Sequence, residues 1–488
     1  MKRLAFAFFL GLVAAHAADR KPLPAIEPRE VASPAGAGAV GASLTVAPDG
    51  GCWLSWVEPG RDGVNTLRFS TLDRTANTWR AARAIAAAAS ITLSAADFPQ
   101  LAIDGAGRAL AVWTDGRGGA WQSESRDGGA TWSRPAGWTR ASDEVEKFSF
   151  TTLADGRILA AWLDGRGRKA GGNTQQLYAR IVGDEIGDML VDASVCDCCQ
   201  TTLTAFPDGT ALIAYRGRTA EEVRDIRVAR FRGRSWDEPR PLNNDDWRIT
   251  ACPINGPRLA SDGGRVAVAW FTAADNEPRV LASFSPDAGT RFLMPLRVDR
   301  GQPAGHADTL ILHDGALLVT WTENDGSVWL RRINPDFAAN DPVALAPPGT
   351  VATRVVPRLA LVRDYAGGHA PAEFVAAFAT TSGLRTLLVR VPEGELLDAE
   401  KNCDCTPTAE QLRGYPIRGT IVALSAETKS VRVKHVELPG LLAAGTSDFK
   451  VAADMPAALE PGRQFLGRIE RRDGAWWLYD VRLLAELR

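Results

Sequence analysis

Seven times along this chain a small polar turn gives way to a short apolar run that ends on an aromatic. The copies are PDGGCWLSW ending at Trp56, GAGRALAVW at Trp113, ADGRILAAW at Trp162, PDGTALIAY at Tyr215, SDGGRVAVAW at Trp270, HDGALLVTW at Trp321 and the diverged AEFVAAF at Phe378. They recur about every 53 residues, a period that marks propeller blades or solenoids. The apolar runs are too short for helices and are bounded by Gly, Asp and Asn, so each unit reads as a meander of strands. One such sheet cannot bury both faces alone. Stacking the units around an axis buries them and leaves only short edges, which predicts an all-β chain whose main body, residues 30–395, is a β-propeller. Seven copies predict seven blades, or six if the last completes another unit.

The pattern changes after residue 400. Tyr415–Val422, Ser430–His435, Phe449–Val451, Phe465–Ile469 and Trp476–Val481 read as five strands within residues 412–488, enough for a small OB-like β-barrel. Residues 400–411, with Cys403-Asp-Cys405, read as the linker.

The first residues carry Lys2 and Arg3, an apolar run Leu4–Ala15 and the small-x-small triplet Ala15-His16-Ala17. This is the pattern of a signal peptide, residues 1–17, cleaved near Ala17, and it predicts a periplasmic or secreted protein. No later run reaches the length of a membrane span. A net charge of −2 without a basic stripe argues against nucleic acid as partner. The expected partners are a small molecule, a glycan or a metal, or another periplasmic protein.

Ser125-Arg-Asp127-Gly-Gly-Ala-Thr131-Trp132 resembles the Asp box of bacterial sialidases and related BNR-repeat proteins, and Ser285-Pro-Asp287-Ala-Gly289-Thr-Arg-Phe292 is a second, weaker copy. The resemblance implies a sialidase-like propeller in which these turns are fold elements. A working sialidase of that family needs three converging arginines, a Tyr nucleophile paired with Glu, and an acidic Asp. The family's N-terminal Arg-Ile-Pro phrase is absent here, and Tyr365 is the candidate nucleophile that its pattern leaves. As an enzyme the chain would be an exo-α-sialidase-like glycoside hydrolase acting on acidic sugars. In the C-terminal segment, Tyr415-Pro-x-x-Gly419 and His435-Val-Glu-Leu-Pro-Gly440 resemble periplasmic copper-binding domains of the CusF kind. Where that family carries methionines, this chain has Leu441-Leu-Ala-Ala-Gly-Thr-Ser447, so His435 alone carries over as a metal ligand.

The strongest candidate chemistry is sulfur. Cys196-Asp-Cys198-Cys199, Cys252 and, one repeat on, His306 precede three successive Asp-Gly turns and are expected to converge at the central channel. Thiolates with an imidazole suit copper or zinc, with Cys403 and Cys405 as further donors. The competing expectation is up to three disulfides, since an exported protein oxidises its cysteines. A polar set, Arg117, Arg166, Arg216, Arg224 and Asp225, follows the aromatics of consecutive repeats and could grip a carboxylate. The expectation is therefore a propeller that binds a ligand or soft metal at a Cys/His cluster. An acidic-sugar glycosidase and a disulfide-stabilised scaffold stand as alternatives.

Overall fold

The structure, a computed structural model, describes residues 25–94, 97–139, 144–334, 339–352, 354–364, 371–391, 415–425, 429–435, 445–451, 459–472 and 475–483. The signal segment, the linker with Cys403 and Cys405, and Tyr365 lie outside the described residues.

The repeat aromatics set the architecture. Each falls on the second strand of its own antiparallel sheet: Trp56 in Cys52–Glu58, Trp113 in Ala109–Thr114, Trp162 in Ile158–Asp164 and Tyr215 in Ala211–Arg216, then Trp270 in Arg265–Thr272, Trp321 in Leu317–Glu323 and Phe378 in Ala372–Thr380. All seven rings are buried. These strands are apolar on both faces, because each sheet is covered by a neighbour on either side.

The first strands of the sheets are Val40–Val46, Gln100–Ile103, Val145–Thr152, Thr202–Ala205, Arg258–Asp262, Pro303–Ile311 and Arg358–Arg363. Each lies beside the next, and Arg358–Arg363 lies beside Val40–Val46, which closes a ring. The last sheet takes its fourth strand from the other end of the chain: Glu27–Val31 pairs antiparallel with Gly383–Val391. Arg385 grips Glu30 at 2.7 Å across this seam, and Thr386 Oγ1 donates to the Val31 carbonyl at 2.7 Å.

The two Ser-x-Asp turns explain their own residue choice. Asp127 accepts from the Thr131 amide and hydroxyl at 2.9 and 2.6 Å, while Ser125 Oγ accepts the Gly129 amide at 2.8 Å. Ser285 and Asp287 repeat these bonds to Gly289 and Arg291. Gly129 and Gly289 have positive φ, and a Cβ on either would strike Phe69 or Leu212 of the preceding sheet.

Beyond residue 414, Tyr415–Ser425, Ser430–His435, Gly445–Val451, Gln464–Arg472 and Ala475–Leu483 close on themselves as a five-stranded barrel. Its core is Ile417, Ile421, Val431, Val433, Phe449, Phe465, Ile469 and Leu478.

Candidate functional site

The cysteine loop leaves the third sheet at Val195 and enters the fourth at Thr202. Its three sulfurs gather within 4.8 Å of one another. Cys199 Sγ lies 3.4 Å from Cys196 Sγ, and Cys198 Sγ lies 3.9 Å from it. Cys252, in the stretch leading to the fifth sheet, is joined to Cys198 by a disulfide, so the bond ties two neighbouring sheets together. Cys196 and Cys199 are free thiols, both buried.

The loop is held in place by charge. Asp197 accepts from Arg218 at 2.8 Å and from the Gln175 amide at 3.0 Å. Arg224 Nη1 donates to Cys196 Sγ at 3.3 Å, while its other nitrogens bind Glu222 at 2.8 and 3.1 Å. The 3.4 Å contact with Cys199 and the Arg216 and Arg224 guanidiniums draw the Cys196 thiol below its ordinary range, against the opposing effect of burial. Burial, and then the contact with Cys196, push Cys199 well up. Cys196 is thus the more acidic thiol of the pair.

Three facts would let these sulfurs hold a metal. Donors about 2.3 Å from a shared tetrahedral ion stand about 3.8 Å apart, close to the 3.4 and 3.9 Å found here. A ligand set of thiolates is net negative even with its ion, and Arg216 and Arg224 match that charge. The third is the Cys198–Cys252 bond: while it is closed, neither of those two sulfurs can serve as a thiolate, and opening it frees Cys198 within the three-sulfur group and Cys252 beside it.

His306 does not belong to that sulfur group. Cys199 lies before its sheet's first strand and Cys252 further before its own, whereas His306 lies inside the strand Pro303–Ile311, at a bulge with φ of 52°. Repeat spacing is blind to such differences of one turn. The His306 amide donates to Asn255 Oδ1 at 2.6 Å, but its ring Nδ1 is buried without a partner. Burial, with Arg354 beside it, brings this imidazole down to about 4. In the barrel, His435 Nε2 is hydrogen-bonded to Ser447 Oγ at 2.8 Å.

The polar set does not form one ligand grip. Arg117 is exposed, with its amide on Asp115. Arg166 Nη2 is bound by Asp164 and Asp188 at 2.7 Å each and stacks on Tyr178. Arg216 is fully buried: Nε and Nη2 donate to the Asn255 carbonyl at 3.0 and 2.8 Å, Nη2 also to Phe271, and Nη1 to Arg224, both at 2.6 Å. Asp225 accepts the Asp246 and Trp247 amides at 2.9 Å, and burial with the neighbouring Asp245 raises its carboxyl. These side chains knit the fourth sheet to the fifth. Arg216 and Arg224 touch the sulfur site; Arg117 and Arg166 serve their own turns.

Sequence reasoning passed over Lys147, a buried lysine at a bulge of the third sheet, 2.9 Å from Glu146 and 3.7 Å from Asp97. Its signal was a lysine set between Val145 and Phe148 within the strand Val145–Thr152.

No known family's sequence profile matches this chain, and no curated protein does. Among solved structures it is similar to the BP39L lectin of Burkholderia pseudomallei, with a TM-score of 0.51 at 11% identity, over 72% of this chain and 97% of the lectin. The fold is a β-propeller. Looser likenesses are to the α-L-arabinanase of Penicillium chrysogenum in complex with arabinobiose, TM-score 0.40 at 12% identity over 72% of this chain and 93% of that one, and to a mutant NanB sialidase of Streptococcus pneumoniae, TM-score 0.38 at 10% identity over 76% and 70%. At these identities the likeness speaks for the fold alone. Among the described residues no helix is long and apolar enough to cross a membrane.

Proposed function

We propose that this chain is an exported, seven-bladed propeller that binds a soft metal ion, copper(I) before zinc, through Cys196, Cys198, Cys199 and Cys252. In the oxidised state the Cys198–Cys252 bond keeps the site closed. The observation that carries this reading is the gathering of three sulfurs within 4.8 Å, one of them bonded to the fourth, beside the buried cations Arg216 and Arg224. Soft thiolates select copper(I) and zinc over hard ions. The leader and the disulfide favour an oxidising compartment. The scattered duties of Arg117, Arg166 and Arg216 speak for a binding protein rather than an acidic-sugar glycosidase.

The test is metal uptake by protein reduced under argon, with copper(I) delivered from a coloured chelator. We expect one tightly held ion per chain, little uptake by the oxidised protein, and loss of uptake in Cys196→Ser and Cys199→Ser. Cys52, held up to about 12 by burial, supplies an inert thiol as internal reference. Uptake that survives both serine variants but vanishes when His435 is replaced would move the metal to the barrel and overturn the reading.

A further inference from the structure

A second constellation lies deeper in the ring. Arg258, Asp308 and Arg358 stand on the first strands of three consecutive sheets, opposite Ala269, Thr320 and Ala377. Each of those partners immediately precedes its repeat aromatic, Trp270, Trp321 or Phe378, so the three charged residues share one level of the ring. Asp308 sits between the arginines, 4.0 Å from Arg258 Nε and 3.4 Å from Arg358 Nε. Its oxygens are already engaged by the Thr309 and Leu359 amides at 3.0 and 2.9 Å.

Two guanidinium nitrogens are left over. Arg258 Nη2 and Arg358 Nη1 are buried with no hydrogen-bond partner, and Arg358 Nε has only its 3.4 Å ion pair with Asp308. The Arg258 side chain is 8% exposed and that of Arg358 12%. Burial, and then the like charge of Arg358, bring Arg258 down to about 9, with Asp308 opposing them. Buried cationic donors without acceptors are costly and uncommon, and each one asks what accepts from it.

Arg358 also lines a cavity of about 470 Å³, together with Thr45, Gln100, Thr151 and Thr152 of the first three sheets. The cavity runs along the first strands, from Gln100 and Arg358 at the starts of theirs to Val46 and Thr152 at the ends of theirs.

We propose that Arg358, backed by Arg258 and oriented by Asp308, forms a binding site for a compact oxyanion, a carboxylate, sulfate or phosphate group, at the cavity that Arg358 lines. Two cations against one carboxylate leave a net positive charge for the anion, and planar guanidinium edges match its oxygens. The hydroxyls of Thr45, Thr151 and Thr152 and the Gln100 amide suit a hydroxyl-bearing remainder. This site is independent of the metal reading.

The test is thermal unfolding and calorimetric titration of the whole chain with sulfate, phosphate and glucuronate, each matched in ionic strength by sodium chloride. We expect saturable binding of at least one of them, weakened roughly 10- to 100-fold in Arg358→Met and partly restored in Arg358→Lys, with no change in Cys199→Ser. Because Arg358→Met removes a buried charge and could fail to fold, crystals of the unaltered protein soaked in selenate supply a second measurement. A selenium peak within hydrogen-bond reach of Arg358 supports the site. Absence of that peak, or binding by all three anions no stronger than the chloride control, overturns the proposal.

Discussion

Replacing Arg216 by Met is the sharpest test of how the sulfur site is built. The guanidinium makes four hydrogen bonds to three carbonyls, those of Asn255, Phe271 and Arg224, and lies 4.7 Å over the Trp247 ring. Methionine refills much of the hydrocarbon volume but leaves the carbonyls without these donors. Each unsatisfied buried acceptor costs about 1–3 kcal/mol, partly offset because a charge no longer has to be desolvated, so a net loss of about 2–5 kcal/mol is expected. Urea unfolding followed by tryptophan fluorescence reads the propeller transition directly, and Arg216→Lys should fall between the two. A second readout separates chemistry from packing. The Arg216 charge helps draw the Cys196 thiol down, so alkylation of native Cys196 at neutral pH should slow in Arg216→Met. Stability within about 0.5 kcal/mol of the parent protein, with unchanged alkylation, would refute the reasoning.

The His306 imidazole titrates near 4 in the fold against about 6.5 in the unfolded chain. The unfolded state therefore takes up the proton first, and stability is full above pH 6.5 and falls by about 3 kcal/mol as pH drops to 4. Melting profiles should show this loss diminished in His306→Gln; equal losses in both proteins would sink the assignment. At Gly256 a methyl group would lie 2.0 Å from the Gln200 carbonyl oxygen, next to Cys199. Gly256→Ala should cost about 1–3 kcal/mol by overpacking and speed Cys199 labelling. Gly264→Ala, which meets nothing within 4 Å, should do neither when both are measured by denaturant titration.

The propeller was legible because its signal is local and repeated. An aromatic at the end of an apolar run has one place to go, the interior between two sheets, and Trp162, Trp270 and Trp321 are all wholly buried. The sulfur cluster was half legible: adjacency brought Cys196, Cys198 and Cys199 together, but the pairing of Cys198 with Cys252 depends on how two loops cross, which spacing does not encode. His306 was misjudged because a bulge shifts register by a residue without altering the repeat length. Arg258 and Arg358 were missed for a related reason. They face each other at one level, yet Arg258 lies much nearer its repeat aromatic in sequence than Arg358 does, because the loop before Ala372–Thr380 is longer. The available sign was the repeated Pro-Arg-Leu-Ala at the start of both first strands, Pro257-Arg258 and Pro357-Arg358.

The strand Glu27–Val31 carries an implication about time. It is the first described strand to be synthesised and the last to be placed, because its partner Gly383–Val391 arrives some 355 residues later. Until then the final sheet has a bare edge and the ring stands open, so closure is a late step whose rate suffers from so distant a pairing. The same seam is where a finished ring should first come apart: it is held by one five-residue strand, whereas the other sheets are each a single continuous stretch of chain. Slow hydrogen exchange should therefore begin to fail at Thr386 and Leu388 before it fails at Trp270, making the two ends of the propeller the clock of its lifetime.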